Sequence, residues 1–290
     1  MKKITVLSNS WIKIIAIVSM TLDHIGVYLV QYSNNVGFLG GLGFVFRTIG
    51  RLALPLFVFL AVEGALNTKS IGKYILRLTM IMVPILIFQI VAEFGFKESF
   101  YQGNIFIDLI LGVLLVWLLG NKKWSFLSVL PIAYAILSFL CFAYERANAG
   151  TMIWWFPYFI RMQYDIFSIL LFVVFFLSYK IVPLLFKERG LDPELHRNNH
   201  YYRLSLNVVS IAGLVIVSTI HFVIGNYILP ISNFSTYWDA SNQFYAVLAS
   251  IPILLYSGER GYNEKWFKIT TYLYYPVHLI IIYLIFWIIM

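Results

Sequence analysis

The chain has 290 residues, of which 61% are hydrophobic, 18% aromatic and 12% charged, with a mean hydropathy of +0.82. Soluble domains carry about a quarter charged residues, so the composition excludes a soluble globular domain and indicates an all-α polytopic integral membrane protein. The net charge of +8 falls in short connections rather than on a continuous basic face, so it reads as membrane orientation and no nucleic-acid partner is expected.

Windows of about 20 apolar residues give nine spans, at 11–32, 44–66, 70–92, 104–120, 124–143, 162–186, 204–229, 242–257 and 266–289, forming a single transmembrane domain over 1–290. A glycine-rich, uncharged stretch around Gly37 to Gly43 reads as the first connection, and Trp154 to Tyr158 as a loop or an interfacial segment. The first run does not read as a cleaved signal, because it is about 20 residues long, contains Asp23 and His24 and lacks a small-x-small site.

Lysine and arginine alternate between connections. One side has Lys2, Lys3, Lys13, Lys69, Lys73, Lys122, Lys123, Lys187, Arg189, Arg197, Arg203, Arg260, Lys265 and Lys268; the other has Lys97 and Arg146, with Arg161 at a boundary. This pattern places the N-terminus in the cytoplasm and the C-terminus outside, in a multi-pass protein of the cell (inner) membrane. The lone cysteine, Cys141, leaves neither a disulfide framework nor a cysteine metal site. The i, i+4 pair His196 and His200 lies in a polar connection and reads as solvated loop, so no metal is expected.

Ionisable groups inside spans are costly and should face protein or a wet cavity. Lys13 and His24 are eleven positions apart in the first span, which puts them on one helix face roughly 16 Å apart. Asp23 and His24 point about 100° apart and cannot hydrogen-bond each other. Asp23 pairs with Arg47 or Arg51 or belongs to a site; His24 is a packed histidine or, sharing a face with Lys13, part of that site; Lys13 snorkels to headgroups or belongs to it. Arg47 and Arg51 enter from the opposite end of the second span, His278 follows the Tyr275-Pro276 step near mid-membrane, and Asp108 opens the fourth span. A polar pocket drawn from distant segments is therefore expected.

Three blocks carry a resemblance: WIKIIAIVSMTLDHIG, then FRTIGRLALPLFVFLAVEGALNTKSIGKYILRL, and ILLYSGERG followed by KWFKITTYLYYPVHLIIIYL. Together they resemble the TraX family of membrane acetyltransferases, named for the protein that N-acetylates conjugative pilin, over roughly the first 80 and last 45 residues. That family is similar to a wider transmembrane acyltransferase superfamily whose first helix carries a basic residue, ten intervening positions and a histidine. Lys13 and His24 reproduce this spacing, with lysine where arginine is more usual.

The resemblance implies transfer of an acetyl group from acetyl-CoA to an amine or hydroxyl of a membrane-associated peptide or glycan acceptor. Lys13, Arg203 and Arg260 would hold the polyanionic nucleotide at a cytoplasmic mouth. His24 would be the general base, because imidazole titrates near working pH. Arg51 would stabilise the oxyanion, and Asp23 and His278 complete the candidate catalytic set. The rival readings are a proton- or solute-coupled transporter using Asp23, His24, Arg51 and His278, and a noncatalytic assembly component of a secretion or conjugation system. Neither the acceptor nor the oligomeric state is assigned by the sequence.

Overall fold

A computed structural model of the chain describes residues 4–34, 36–95, 103–148, 152–228 and 240–289. Lys2, Lys3, Lys97 and the side chain of Arg146 lie outside what is described. The described residues are helical apart from turns, irregular connections and one isolated parallel bridge, Leu7 to Tyr256. In order the α-helices are α1 Asn9–Tyr32, α2 Gly37–Gly50, α3 Ala53–Asn67, α4 Ile71–Gly95, α5 Ile105–Gly120, α6 Val129–Ala147, α7 Asp165–Glu188, α8 Pro193–His196, α9 His200–Val223, α10 Ala240–Gln243, α11 Ser250–Leu254 and α12 Lys265–Ile289.

Seven helical stretches among the described residues are long and apolar enough to cross a membrane, and two shorter ones, Ile105–Gly120 and Phe244–Leu254, are apolar as well. These nine coincide with the nine spans expected from hydropathy. On α12 the large side chains Ile269, Leu273, Val277, Ile281, Leu284 and Ile288 are exposed, as lipid-facing residues are when the surrounding solvent is hydrocarbon.

Local chemistry sets several helix ends. Asn104 accepts from Phe106 N (3.0 Å) at the start of α5, and Asn199 from Tyr201 N (3.0 Å) at the start of α9, each satisfying an amide with no intrahelical partner. Asp192 caps α8 ahead of Pro193, whose missing N–H costs nothing at a first helical position. Gly190 adopts φ +72° just after α7, and Leu191 N donates to Phe186 O (2.9 Å), a left-handed cap that glycine adopts without Cβ strain.

The glycine-rich stretch expected to be a connection is instead the start of α2, and the break in the second span falls at Arg51 and Leu52. The reason is packing. A Cβ on Gly26 would meet Gly43 O at 2.8 Å, and one on Gly43 would meet Gly26 O at 3.0 Å. The backbones of α1 and α2 thus touch directly, the use to which membrane helices put small residues when no hydrophobic force drives association. Gly50 repeats the contact one heptad on, against Asp23.

Packing divides the described residues into two units. The first comprises the described parts of 4–57, 174–228 and 240–289. Within it, Val182, Phe186, Tyr202 and Leu206 form an apolar cluster, Ser210 donates to Ser178 (2.9 Å), and residues 6–10 pair with 255–262 through Val6 N and Leu7 N to Leu255 O (both 2.8 Å), Ser257 N to Leu7 O (2.7 Å) and Asn9 N to Glu259 O (2.8 Å).

The second unit holds the described parts of 58–173. Its irregular segment 152–164, including Trp154 at 82% exposure, is anchored by charge rather than by helix. Arg161, which the hydropathy placed at a boundary, is fully buried. It donates to both Glu145 oxygens (2.7 Å each) and to Phe156 O (2.7 Å), with Phe142 and Phe156 against its guanidinium. Asp108 accepts from Gln163 N (2.6 Å), Tyr164 N (3.0 Å) and Ser168 Oγ (2.6 Å). A buried carboxylate that holds turn amides in this way has a structural task.

Candidate active site

The site is built on the first and last spans. Lys13 and Lys268 act on each other electrostatically, Thr21 Oγ1 meets Tyr274 OH (2.7 Å), His24 Nδ1 meets His278 Nε2 (2.9 Å), and Tyr28 stacks on Phe286 (4.7 Å between centroids). The pairs advance along α1 and α12 in the same direction, so the two helices run parallel. The pairing of 6–10 with 255–262 starts them at the same level, and their far ends lie on the opposite side. α1 is unbroken from Asn9 to Tyr32, so the spacing of roughly 16 Å between Lys13 and His24 holds.

At the starting end Lys13 and Lys268 are near enough to feel each other's charge, and among the described residues no ion pair joins an acidic side chain to either. Both sit in the opening turns of helices whose dipoles add positive potential there. Arg203 and Arg260 belong to the same end. The Arg203 guanidinium lies 4.2 Å from the centre of the Tyr256 ring, its Nη1 donates to Tyr179 OH (3.4 Å), and Gly258, at φ +80°, passes over its side chain. Arg260 is exposed, next to the Glu259 carbonyl that accepts from Asn9 N. The structure thus brings the three expected anion-binding residues to one end of one unit, with Lys268 as a fourth cation. His200 bonds Thr5 Oγ1 (2.8 Å) and His196 bonds Asp192 O (2.8 Å); the two histidines face different partners.

Farther along the pair, His24 is half-buried and His278 is 4% exposed. Their ring centroids are 5.1 Å apart with 10° between planes. With the two nitrogens at 2.9 Å, a centroid distance this long requires the rings to meet edge to edge in nearly one plane, the geometry of a straight N–H···N bond. Tyr274 stacks on His278 (5.0 Å, 7°), and its carbonyl lies 2.8 Å from His278 Nδ1. Thr21 gives its own proton to Ile17 O (2.9 Å), so Tyr274 OH is the donor in the Thr21 contact.

Asp23, on the adjoining face of α1, belongs to a second network. Arg51 Nη2 donates to both Asp23 oxygens, Arg47 Nη1 lies 3.5 Å from Asp23 Oδ1, and Arg51 also donates to Arg47 O (3.3 Å) and Gln243 Oε1 (3.1 Å). Asp23 and Arg51 are each 8% exposed. The expected Asp23–arginine pair is present with both arginines, and it neutralises the guanidinium that the sequence assigned to an oxyanion. Gln243 and Tyr274 escaped the sequence reading. Tyr274 stands one helical turn before His278, a stacking distance that could have been read; nothing local links Gln243 to Arg51, 192 positions away.

These features define a polytopic, all-helical membrane protein whose first and last spans run in parallel and join a cationic end to an intramembrane histidine pair. The profile of the family described as TraX protein matches residues 8–188, more than half of the chain, and the chain belongs to that family. It is also similar to uncharacterized protein RP591 of Rickettsia prowazekii (strain Madrid E), 30% identical over 115 residues, which are 40% of this chain and 39% of that protein. The match spans about two fifths of that relative's length. No solved structure matches the chain.

Proposed function

We propose that the protein is a membrane-embedded acyltransferase that moves an acetyl group from acetyl-CoA to an amine or hydroxyl of a membrane-associated peptide or glycan acceptor, with His24 as general base. The observation that carries this reading is the seam of α1 and α12. It offers two cations without acidic partners at one end and a histidine pair roughly 16 Å farther in, a separation suited to a donor with phosphates at one end of a long thin arm and a thioester at the other. Membership of the TraX family supports the same class of reaction.

In this reading Lys13 and Lys268, with Arg203 and Arg260 beside them, hold the nucleotide at the cytoplasmic face of the inner membrane. The acceptor X–H gives its proton to His24 Nε2 as X attacks the thioester carbonyl. The C–S bond then breaks, and the departing sulfur takes that proton back from His24, leaving an acetylated acceptor and free CoA. Asp23, Arg51 and Gln243 hold α1, α2 and α10 together around the base. A transporter has no need of the cationic end or of its distance from His24.

The test is to incubate the purified full chain with labelled acetyl-CoA and membrane extracts, following CoA release and label transfer. Acceptor-dependent release is expected, and His24→Ala should lower it about 10²- to 10⁴-fold while still inserting and purifying. Absence of CoA release with every extract, together with solute uptake in vesicles, would replace the enzyme reading by the transport one.

A further inference from the structure

The geometry points to His278 as a positioning residue that selects the tautomer of His24, so that His24 presents a bare Nε2 while its Nδ1 carries the proton. A carbonyl oxygen can only accept, so the 2.8 Å contact from His278 Nδ1 to Tyr274 O requires a proton on that nitrogen. A neutral His278 then has a lone pair on Nε2, and the 2.9 Å contact to His24 Nδ1 can be made only if His24 supplies the hydrogen. This leaves Nε2 of His24 as its unprotonated nitrogen. Among the described residues that atom makes no hydrogen bond, and His24 as a whole residue is half-buried.

The chain Tyr274 C=O, His278, His24 is thus polarised in one direction, and its last atom is a base. The support is built in depth. Tyr274 stacks on the His278 ring and is tied to α1 through Thr21, while Tyr275 packs edge-on against the same ring (5.5 Å, 80°). When His24 accepts a proton at Nε2, its Nδ1–H bond to His278 becomes charge-assisted and strengthens, so the arrangement favours the imidazolium that base catalysis forms. This inference rests on the reading of His24 as a base, but the tautomer itself is a property of the resting protein.

The two can be tested apart. In the purified full chain, labelled with ¹⁵N-histidine, long-range ¹H–¹⁵N correlation distinguishes the tautomers, and His24→Ala and His278→Ala assign the signals among the five histidines. Both His24 and His278 are expected as Nδ1–H forms, the minor form of free imidazole. His278→Ala should return His24 to the Nε2–H form and lower kcat about 10²-fold or more with KM for acetyl-CoA nearly unchanged. His278→Gln, whose amide oxygen can accept from His24, should keep the Nδ1–H form and recover part of kcat. An Nε2–H signal for His24 in the unaltered protein, or a doubly protonated His278, overturns the inference whatever the activity. Nδ1–H signals in a protein that never releases CoA would uphold it and sink the acetyl-transfer reading instead.

Discussion

Replacing Asp23 by Asn tests whether the buried ion pair is the clamp that holds α1 to α2. Asp23 is the acid shared by two cations, receiving both oxygens' worth of Arg51 Nη2 donation and Arg47 at 3.5 Å. Its loss takes the carboxylate away from Arg51, 8% exposed, and breaking a buried pair by removing one partner costs about 3–5 kcal/mol. Arg51→Gln is a milder lesion, because Arg47 remains and still attracts Asp23 with about 5 kcal/mol of gross Coulomb energy at an effective dielectric of about 20. The expected order is therefore Asp23→Asn worse than Arg51→Gln by at least about 1 kcal/mol, roughly a fivefold difference in the folded ratio. The double variant should be less damaged than the sum of the two, since it leaves less charge stranded. Denaturant unfolding of the four purified forms in mixed micelles, followed by tryptophan fluorescence, measures this cycle. Equal losses for the two single variants, with strict additivity in the double, would show that the pair is solvated and that the clamp does not exist.

Two further expectations concern the cationic end and the orientation. Lys13→Ala should raise KM for acetyl-CoA with a smaller change in kcat, because a phosphate remote from the carbonyl is bound alike in ground and transition states; Lys13→Arg should keep most function. Titrating acetyl-CoA against the three forms by calorimetry checks this, and equal affinities would return Lys13 to a lipid-anchoring role. Cysteine accessibility mapping should find position 195, where Leu195 in α8 is 80% exposed, labelled from the cytoplasm and a C-terminal tag labelled from outside; both on one side would contradict the parallel orientation of α1 and α12 across the membrane.

The apolar spans were legible because a membrane helix is declared locally: about 20 consecutive residues of one character suffice, and all nine stretches recur as helices. The relation of Lys13 to His24, and the divergence of Asp23 from His24, were likewise local, since both follow from the rotation and rise of one helix. Glycine was the misleading signal. Gly40, Gly41 and Gly43 look like a connection in a one-dimensional reading, yet buried Gly40 and Gly43 lie inside α2, with Gly43 against Gly26 of α1; only the neighbouring helix reveals why a side chain is missing.

Residue identity along the chain thus determined that this is a multi-span helical membrane protein with a basic group and a histidine at a set distance on one face. The tertiary structure decided which groups those residues meet. His24 finds His278 from 254 positions away and Arg51 finds Gln243 from 192, pairings set by how the helices pack rather than by any period in the sequence. Asp108, which the sequence allowed into the same pocket, is committed to the amides of Gln163 and Tyr164. Side-chain charge can be read from a letter, but a buried charge takes its role from the partner that the fold brings within hydrogen-bond reach.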